Sequence, residues 1–368
     1  MTTSELQRTK SLADYCLLGR SGLRVAPFCL GTMTFGTEWG WGSPIAAARQ
    51  IWGRYLEEGG NFIDTADCYT EGKSEEMIGG FLKESGNRDR VVLATKYTFN
   101  GSTGDPNAGG NGRKNIYRAL EGSLRRLQTD YVDLYWVHAW DTITPVEEVV
   151  STLNDLVRVG KIRHIGLSNT PAWYLARAQT VAELRGLERI AAVQLEYSLV
   201  ERNIEREHIP AALELGIGVC PWSPLAGGLL TGKYRQTAGG REEGEGRLIP
   251  KESDYPVIER FTEPNRRVVS TLLEVAKELG RAPAQVALNW VSRRPGVTST
   301  IIGATKVSQL EDNLKALAFD IPEAQATRLA EVGRPESIYP YYAFEDDIQA
   351  MIKGGVAVRR EPSGPRRG

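Results

Sequence analysis

Short apolar segments alternate with longer amphipathic segments along most of this 368-residue chain. Eight of the short segments have four to seven residues each and are rich in Val, Ile, Leu or aromatic residues, which is typical of parallel strands buried on both faces. They are Phe28–Gly31, Asn61–Asp64, Val91–Lys96, Val132–His138, Arg163–Leu167, Ala191–Leu195, Ile217–Pro221 and Ser299–Ile302. Because helix-forming sequence follows each of them, the alternation predicts a closed (β/α)8 barrel, the TIM-barrel fold of the α/β class.

The residues between these segments fit the same architecture. The stretches Lys114–Leu127 and Pro145–Val159 have helical periodicity. For the second stretch, we expect Thr144 to be the N-cap, Glu147 to complete a capping box and Gly160 to end the helix. A doubly wound sheet is the alternative, but its dinucleotide fingerprint G-x-G-x-x-G follows none of the predicted strands.

One barrel with a small hairpin accounts for most of the length. A turn at Arg20–Gly22 separates Tyr15–Gly19 from Leu23–Ala26, which predicts an N-terminal β-hairpin. Two long loops, Tyr97–Gly112 and Gly232–Pro264, follow the third and seventh strands, on the face where barrels carry their chemistry. We therefore expect a single domain over residues 1–368, with the barrel at about 15–332 and a C-terminal extension at 333–368.

The composition is that of an ordinary water-soluble protein. The 45 Lys and Arg residues balance 46 Asp and Glu residues, so no net charge attracts nucleic acid or an anionic membrane. The four cysteines are scattered and the three histidines belong to no ligand cluster, which argues against a metal site and fits a reducing compartment. Neither a signal peptide nor an apolar run long enough to span a bilayer is recognisable. We expect a cytoplasmic protein, and its oligomeric state stays open.

Four ionisable side chains fall at or just after the ends of predicted strands. Asp64, Lys96 and His138 end the second, third and fourth strands, and Tyr69 follows Asp64 by five residues. Because barrel active sites form at the carboxyl ends of the strands, these side chains should meet on one rim. Each one alone could be structural, as part of a buried ion pair or as a hydrogen-bonded core histidine, but together they point to catalysis.

This set of side chains suits the reduction of a carbonyl group by hydride. The alkoxide that forms needs a proton, which the Tyr69 hydroxyl can donate. We expect the Lys96 ammonium to lower the Tyr69 pKa from its usual ~10, and Asp64 to keep that lysine charged and oriented. His138 can donate a hydrogen bond to the carbonyl oxygen. This chemistry requires neither a nucleophile nor a metal.

Several motifs resemble those of the aldo-keto reductases. They are Gly59–Tyr69, Leu134–His138, Ile165–Asn169, and Ile302–Lys306 with Gln309, Asp312 and Asn313. The resemblance extends from about Tyr15 to about Val332, in the family's order and spacing. It implies a (β/α)8 barrel, NADPH as the usual hydride donor, and a catalytic tetrad of Asp64, Tyr69, Lys96 and His138.

The resemblance also implies a site for NADP(H). Ser168, Asn169 and Gln194 correspond to residues that hold the nicotinamide carboxamide, and Trp222 corresponds to the aromatic residue that stacks on the nicotinamide. The expected cofactor-binding residues are Gly31, Thr32, Met33, Asp64, Ser168, Asn169, Gln194, Trp222, Ser223, Pro224, Leu225, Gly227, Lys233, Gly303, Thr305, Lys306, Gln309, Asp312 and Asn313. The preference for NADPH over NADH rests on Lys306, a single cation for the 2′-phosphate.

Aromatic residues on the same rim are the expected substrate contacts. The set is Phe35, Trp39, Tyr69, Tyr97, His138 and Trp140, with Met33 and Trp41 beside it. Such a wall suits a sugar or a cyclic or aromatic carbonyl compound. Trp39 and Trp41 could instead pack beneath the second long loop.

The leading prediction is an NADPH-dependent reductase of an aldehyde, ketone or sugar carbonyl, or the reverse oxidation, with no nucleic-acid or membrane partner. A regulatory or sensor protein that binds the nicotinamide cofactor with little turnover is the alternative, since the potassium-channel beta subunits resemble this family. A metal-dependent hydrolase fits less well, because the chain lacks clusters of His and Asp ligands.

Overall fold

The structure is a computed structural model that describes residues 10–236, 242–248 and 259–357. Its strands are β1 (Cys16–Leu17), β2 (Arg24–Val25), β3 (Phe28–Gly31), β4 (Phe62–Asp64), β5 (Val92–Tyr97), β6 (Val132–Val137), β7 (Ile162–Ser168), β8 (Ile190–Glu196), β9 (Gly218–Trp222), β10 (Arg235–Gln236), β11 (Glu242–Glu243) and β12 (Thr300–Ile302). Eight parallel strands form one sheet in the order β12-β3-β4-β5-β6-β7-β8-β9. A bridge between Val219 and Val297 brings β9 back beside the start of β12 and nearly closes the ring. The predicted (β/α)8 barrel is confirmed.

Helices follow the barrel strands and pack around them. They are α1 (Ile45–Glu57), α2 (Lys73–Ser85), α3 (Arg113–Leu127), α4 (Val146–Arg158), α5 (Ala172–Arg185), α6 (His208–Leu215), α7 (Glu263–Leu279), α8 (Pro283–Ser292), α9 (Val307–Leu314) and α10 (Glu323–Val332); α11 (Asp346–Ile352) comes later in the chain. All eight apolar segments that predict barrel strands form them, and each strand end lies within one residue of its expected position.

Alternate residues of the barrel strands point into the barrel. One buried cluster fills the interior: Leu18, Val25, Cys29, Phe62, Val92, Ala94, Leu134, Trp136, Ala192, Cys220 and Ile301. Gly166 makes room for the largest of these side chains, since a Cβ atom there would lie 2.2 Å from the Trp136 indole. Because side chains alternate along a strand, Asp64 and Lys96 point the same way as Phe62 and Ala94, at the carboxyl ends of β4 and β5.

The predicted N-terminal hairpin is present and lies at the opposite end of the barrel. β1 pairs with β2 in antiparallel register. Gly19, in the turn between them, approaches the backbone of Ala191 and Gly218 at the amino ends of β8 and β9. The hairpin therefore closes the end of the barrel that lies away from Asp64 and Lys96.

The start of α4 differs from the expectation. Pro145 is the N-cap and no side chain caps this helix. The Thr144 hydroxyl donates instead to the Asp141 carboxylate at 2.6 Å, because a nearby carboxylate competes for it. The capping box of Thr144 and Glu147 is therefore wrong, whereas Gly160 follows the helix with a φ of 75°, as expected.

The chain divides into two compact units, Met1–Gly333 and Arg334–Gly368. The first contains the barrel; in the second, a short 3-10 segment at Tyr341–Phe344 precedes α11. A single domain over residues 1–368 stays a prediction. Residues 1–9, the parts of the second long loop at 237–241 and 249–258, and the tail at 358–368 lie outside the described residues. Within the described ranges, no helix is both long and apolar enough to cross a membrane.

Candidate active site

A buried ion pair lies at the upper end of the barrel interior. Lys96 Nζ donates to Asp64 Oδ2 at 2.5 Å and to the Thr65 carbonyl oxygen at 2.7 Å. Gln194 Nε2 donates to the other Asp64 oxygen at 3.0 Å, and burial raises the pKa of Asp64. Burial works to lower the Lys96 pKa, but the Asp64 carboxylate and Tyr69 outweigh it and raise that pKa. The lysine therefore keeps its charge inside the barrel.

The third Lys96 proton is directed at Tyr69. Nζ lies 3.0 Å from the Tyr69 hydroxyl oxygen, which therefore accepts a hydrogen bond and keeps its own proton free to donate. Burial raises the pKa of Tyr69 to about 12, and the Lys96 ammonium opposes this only in part. Lys96 acts in the expected direction, but the Tyr69 pKa lies above its usual value because burial outweighs the ammonium.

A left-handed turn fixes the chain directly after Tyr69. Thr70, Glu71 and Gly72 have φ values of 47°, 59° and 89°. The buried Thr70 hydroxyl donates to the Phe35 carbonyl at 2.8 Å and accepts the Ser74 amide at 3.1 Å. Because non-glycine residues rarely adopt this conformation, the surrounding hydrogen bonds must hold it in place.

His138 faces the same space from the end of β6. The His138 ring packs against Tyr69 with centroids 5.9 Å apart and against Phe99 at 4.7 Å, edge to face in both cases. Its Nδ1 lies 3.9 Å from Cys68 Sγ. Burial, and then the Lys96 charge, holds the pKa of His138 well below its usual range. The ring is therefore a neutral imidazole near pH 7, able to donate one hydrogen bond.

Polar groups that suit a carboxamide end β7 and β8. Ser168 is fully buried, and its Oγ has no hydrogen-bond partner among the residues that the structure describes. Asn169, with a φ of 48°, donates to the His138 carbonyl at 2.9 Å and accepts from the Trp222 indole at 3.0 Å. Gln194 bonds Asp64 through its amide nitrogen, so its amide oxygen takes no part in that bond. Buried hydroxyl groups are nearly always hydrogen-bonded, so the Ser168 hydroxyl can take a polar ligand as its partner. These residues therefore fit a nicotinamide carboxamide.

The turn after β9 has an unusual backbone. Ser223, Ala226 and Gly227 have φ values of 52°, 48° and 68°. Their turn, which includes Pro224 and Leu225, already uses the amides of Ala226, Gly227 and Gly228 internally, at 2.8 to 3.3 Å. Lys233 lies beside this turn, since a Cβ atom on Gly228 would lie 2.9 Å from the Lys233 Cε atom.

The loop after β12 is ordered by its own side chains. Gln309 Oε1 accepts from the Thr305 amide at 2.8 Å and from its hydroxyl at 3.0 Å. Asn313 Nδ2 donates to the Gly303 carbonyl at 3.5 Å. Since β9 and β12 are neighbours in the ring, this loop and the turn after β9 lie on the same side of the rim.

Two charged residues of this loop differ in their surroundings. Asp312 accepts from Gln285 at 2.8 Å and from Lys315 at 3.3 Å. Lys306 is exposed at the N-cap of α9 and has no ion-pair partner among the described residues. Lys306 is therefore available to an anionic ligand, and Asp312 is already engaged.

The segment after β3 lies against Asp64. The Thr32 amide and hydroxyl both donate to the Asp64 carbonyl, at 2.9 and 3.0 Å. Just before this segment, Gly31 lies close to β12: a Cβ atom on Gly31 would be 2.6 Å from the Ile301 side chain. Met33 is 37% exposed. These residues therefore form one edge of the same opening.

Two tryptophans stand beside Tyr69. Trp39 meets the Tyr69 ring edge to face with centroids 6.4 Å apart, and Trp41 packs on Trp39 at 5.7 Å. Both are half-buried, in a loop closed at its base by the pairing of Gly36 with Ser43. The rings therefore form an aromatic wall next to the candidate proton donor.

The comparisons with known proteins agree with this geometry. A family model described as "Aldo/keto reductase family" matches residues 27–334. This chain belongs to that family.

Curated relatives of this aldo/keto reductase are similar over most of their length. An uncharacterized oxidoreductase, YrpG, of Bacillus subtilis is 41% identical over 84% of this chain and 92% of its own. Norsolorinic acid reductase stcV of Emericella nidulans is 36% identical over 83% of this chain and 77% of its own. The aryl-alcohol dehydrogenase [NADP(+)] of Phanerodontia chrysosporium is 32% identical over 93% of this chain and 90% of its own.

Membership establishes the class of reaction. The protein is an enzyme, an oxidoreductase that acts on small carbonyl compounds with a nicotinamide dinucleotide as cofactor.

The structure does not bring two expected substrate contacts of this aldo/keto reductase to the opening. Tyr97 is fully buried and stacks on Tyr135 with centroids 5.0 Å apart. It follows Lys96, so it points out of the barrel toward the helices. Phe35 is also fully buried, against Phe81 of α2. Both belong to the packed core, and naming them as substrate contacts is wrong.

Trp140 lies in a different aromatic cluster. Its ring packs on Trp173 at 5.3 Å and on Tyr174 at 6.1 Å. The three rings line a cavity of about 240 Å³ beside the starts of α4 and α5. Contact of Trp140 with substrate stays a prediction.

The structure also adds residues that the sequence pattern did not single out. Phe99 is 50% exposed against the His138 ring, and Arg247 lies over the Trp41 ring at 5.1 Å. The Arg247 charge helps to lower the Lys233 pKa, after burial, which places these two cations near each other. Phe99 and Arg247 lie in the two long loops, and the length of these loops was the only feature of the sequence that pointed to them.

Proposed function

We propose that this enzyme reduces an aromatic aldehyde or ketone to the alcohol with NADPH, with Tyr69 as the proton donor. One observation carries the proposal: the Lys96 ammonium donates to Asp64, to Thr65 and to the Tyr69 oxygen together. With its three protons engaged, the lysine has a fixed charge and a fixed direction, and the Tyr69 proton is left for the substrate.

Tyr69 would stay protonated until the carbonyl group is reduced. With a pKa raised to about 12, the phenol is fully protonated near neutral pH. An alkoxide is a stronger base than a phenolate, so the proton moves to it as the carbonyl is reduced. The adjacent Lys96 ammonium then stabilises the phenolate that remains.

His138 would orient the carbonyl group. A neutral imidazole donates one hydrogen bond without competing for the proton that Tyr69 transfers. Its edge-to-face packing on Tyr69 and Phe99 fixes the plane of the ring. The carbonyl oxygen would therefore lie between the His138 ring and the Tyr69 hydroxyl.

The residues at the ends of β7, β8 and β9 would hold the nicotinamide. When bound, the reduced nicotinamide supplies the hydride. Ser168, Asn169 and Gln194 would bind its carboxamide, and Trp222, held by its bond to Asn169, would stack on its ring. The orphaned Ser168 hydroxyl supports this assignment, because the carboxamide would give it a partner.

The preference for NADPH rests on exposed positive charge. Lys306 lies at the start of α9, next to Thr305 and Gln309, and Lys233 and Arg247 lie near the turn after β9. The printed name of the Phanerodontia relative carries NADP(+). A 2′-phosphate would give Lys306 the anionic partner that it lacks among the described residues.

Aromatic substrates are favoured over sugars by the wall of Trp39 and Trp41. Flat rings stack on indole without requiring hydrogen-bond partners, whereas sugar hydroxyls require several. The named relatives act on norsolorinic acid and on aryl alcohols. A screen of NADPH oxidation against benzaldehydes, aryl ketones, keto-sugars and quinones tests this proposal. We expect turnover with aryl carbonyls; tight NADPH binding without any turnover would instead favour the sensor alternative.

A further inference from the structure

The loop after β5 is tied to the segment after β6 by one buried side chain. Asn111 is fully buried and bonds through its backbone amide and both ends of its side-chain amide. The backbone amide donates to the Asp141 carboxylate at 2.7 Å, and Nδ2 donates to the Ala139 carbonyl at 2.9 Å. Oδ1 accepts from the Thr98 hydroxyl at 2.8 Å. One asparagine therefore joins two loops of the rim, and the proposed mechanism gives it no part.

These bonds hold the chain on both sides of the His138 α-carbon. On one side, the Thr98 hydroxyl that donates to Asn111 accepts from the His138 amide at 3.2 Å. That amide also donates to the Tyr97 carbonyl at 3.0 Å. On the other side, the Ala139 carbonyl is bound by Asn111 directly. The asparagine therefore reaches the His138 backbone from both directions without touching the ring.

The strained backbone of Thr98 extends the same network to the ring. Thr98 has a φ of 130°, which non-glycine residues rarely adopt, and its carbonyl accepts from the Gly110 amide at 2.7 Å. A residue keeps such a conformation only when its surroundings fix it. The next residue, Phe99, lies edge to face on the His138 ring with centroids 4.7 Å apart. The bonds at Thr98 therefore also fix where Phe99 meets this ring.

We propose that Asn111 is a positioning residue for His138, and that it sets the direction in which the imidazole donates to the substrate carbonyl. This proposal rests on the proposed reduction, in which His138 orients the carbonyl group. Without the Asn111 side chain, the Ala139 carbonyl and the Thr98 hydroxyl each lose a partner, and the His138 segment is free to shift. A displacement of about 1 Å in a positioned group is enough to cost about a hundredfold in rate.

A double-mutant cycle tests whether Asn111 acts through His138. The rate is that of single-turnover NADPH oxidation by an aryl aldehyde, with NADPH saturating for each variant. Asn111→Ala should slow the wild type by at least about tenfold. In a His138→Phe background, which keeps a ring and removes the donor, the same substitution should change the rate by less than about twofold. Equal losses in the two backgrounds overturn the proposal.

Asn115 of α3 provides a matched control. It is also buried, and its side chain donates to the Gly110 carbonyl at 2.8 Å and accepts from Arg118 at 2.9 Å. It therefore supports the same loop through other partners. Asn115→Ala should keep the rate within about twofold of the wild type. A loss as large as that of Asn111→Ala would assign the effect to the loop as a whole and overturn the proposal.

Proton NMR of the histidine rings follows the position of His138 without any turnover. The chain has three histidines, so the signals missing from His138→Phe are those of His138. Because the Phe99 ring lies edge to face on the imidazole, its ring current reports their relative position. The His138 signals should move in Asn111→Ala and stay in place in Asn115→Ala. Unmoved signals in Asn111→Ala overturn the proposal.

Thr98→Val keeps the proposal testable if Asn111→Ala does not fold. Valine preserves the branched shape and removes the hydroxyl between Asn111 and the His138 amide. This variant should slow the reduction in the wild type but not in the His138→Phe background, and equal slowing in both overturns the proposal. If the wild type reduces no aryl carbonyl, the proposed function fails, and the NMR signals of His138 decide the role of Asn111 separately.

Discussion

Lys96 Nζ lies 2.5 Å from Asp64 Oδ2 and 3.0 Å from the Tyr69 hydroxyl oxygen. One ammonium thus joins a buried carboxylate to a phenol. The arrangement has an electrostatic consequence: Asp64 raises the pKa of Lys96, and the Lys96 ammonium opposes the rise of the Tyr69 pKa. It also has a structural one, because a charge so deep in the barrel is tolerated only with its partner.

Removing one member of the ion pair should destabilise the barrel more than removing both. We expect Asp64→Asn or Lys96→Met alone to lower the free energy of unfolding by about 3–5 kcal/mol, because each leaves a buried charge unpaired. The double variant should cost less than either single variant, as measured by urea unfolding. Strictly additive losses would show that the two side chains act independently.

The buried histidine should make stability depend on pH. Because the folded-state pKa of His138 is held well below 6.5, the unfolded chain binds a proton there at a higher pH than the folded chain does. The free energy of unfolding should therefore fall as pH is lowered from about 7 to about 5. His138→Gln should make this fall smaller, as measured by unfolding at several pH values. If the free energy of unfolding fell equally with pH in the wild type and in His138→Gln, His138 would not be the source of the pH dependence.

The barrel is readable from the sequence because apolar periodicity and strand ends are local properties. Asp64, Lys96 and His138 follow from the rule that barrel chemistry sits at strand ends. The prediction that Tyr97 and Phe35 contact the substrate is wrong, because the type of an aromatic residue near the rim does not reveal which way its side chain points. For Tyr97, strand alternation does reveal it: if Lys96 points into the barrel, the next residue points outward.

Other features depend on contacts that no local pattern encodes. Burial in the folded chain sets the Tyr69 pKa. Arg247 reaches Trp41 across a separation of about two hundred residues. Such partners become visible only in the folded chain.

The exposed Lys306 should select the phosphorylated cofactor. In Lys306→Ala, we expect the dissociation constant for NADPH to rise about tenfold, while that for NADH stays nearly unchanged, because only NADPH has a 2′-phosphate to pair with the ammonium. Titration of protein fluorescence with each cofactor measures both constants. Lys315→Ala is the control, since that lysine is paired with Asp312. An equal loss for both cofactors would remove the role of Lys306.

The most direct test of the account is Tyr69→Phe, which keeps the ring beside Trp39 and His138 and deletes only the hydroxyl. Binding of NADPH, measured by fluorescence, should change little. Single-turnover oxidation of NADPH by an aryl aldehyde should slow by about a hundredfold to ten-thousandfold, because the alkoxide loses its proton donor. A variant that binds NADPH normally and reduces the aldehyde within a few-fold of the wild-type rate would contradict the central claim that Tyr69 donates the proton.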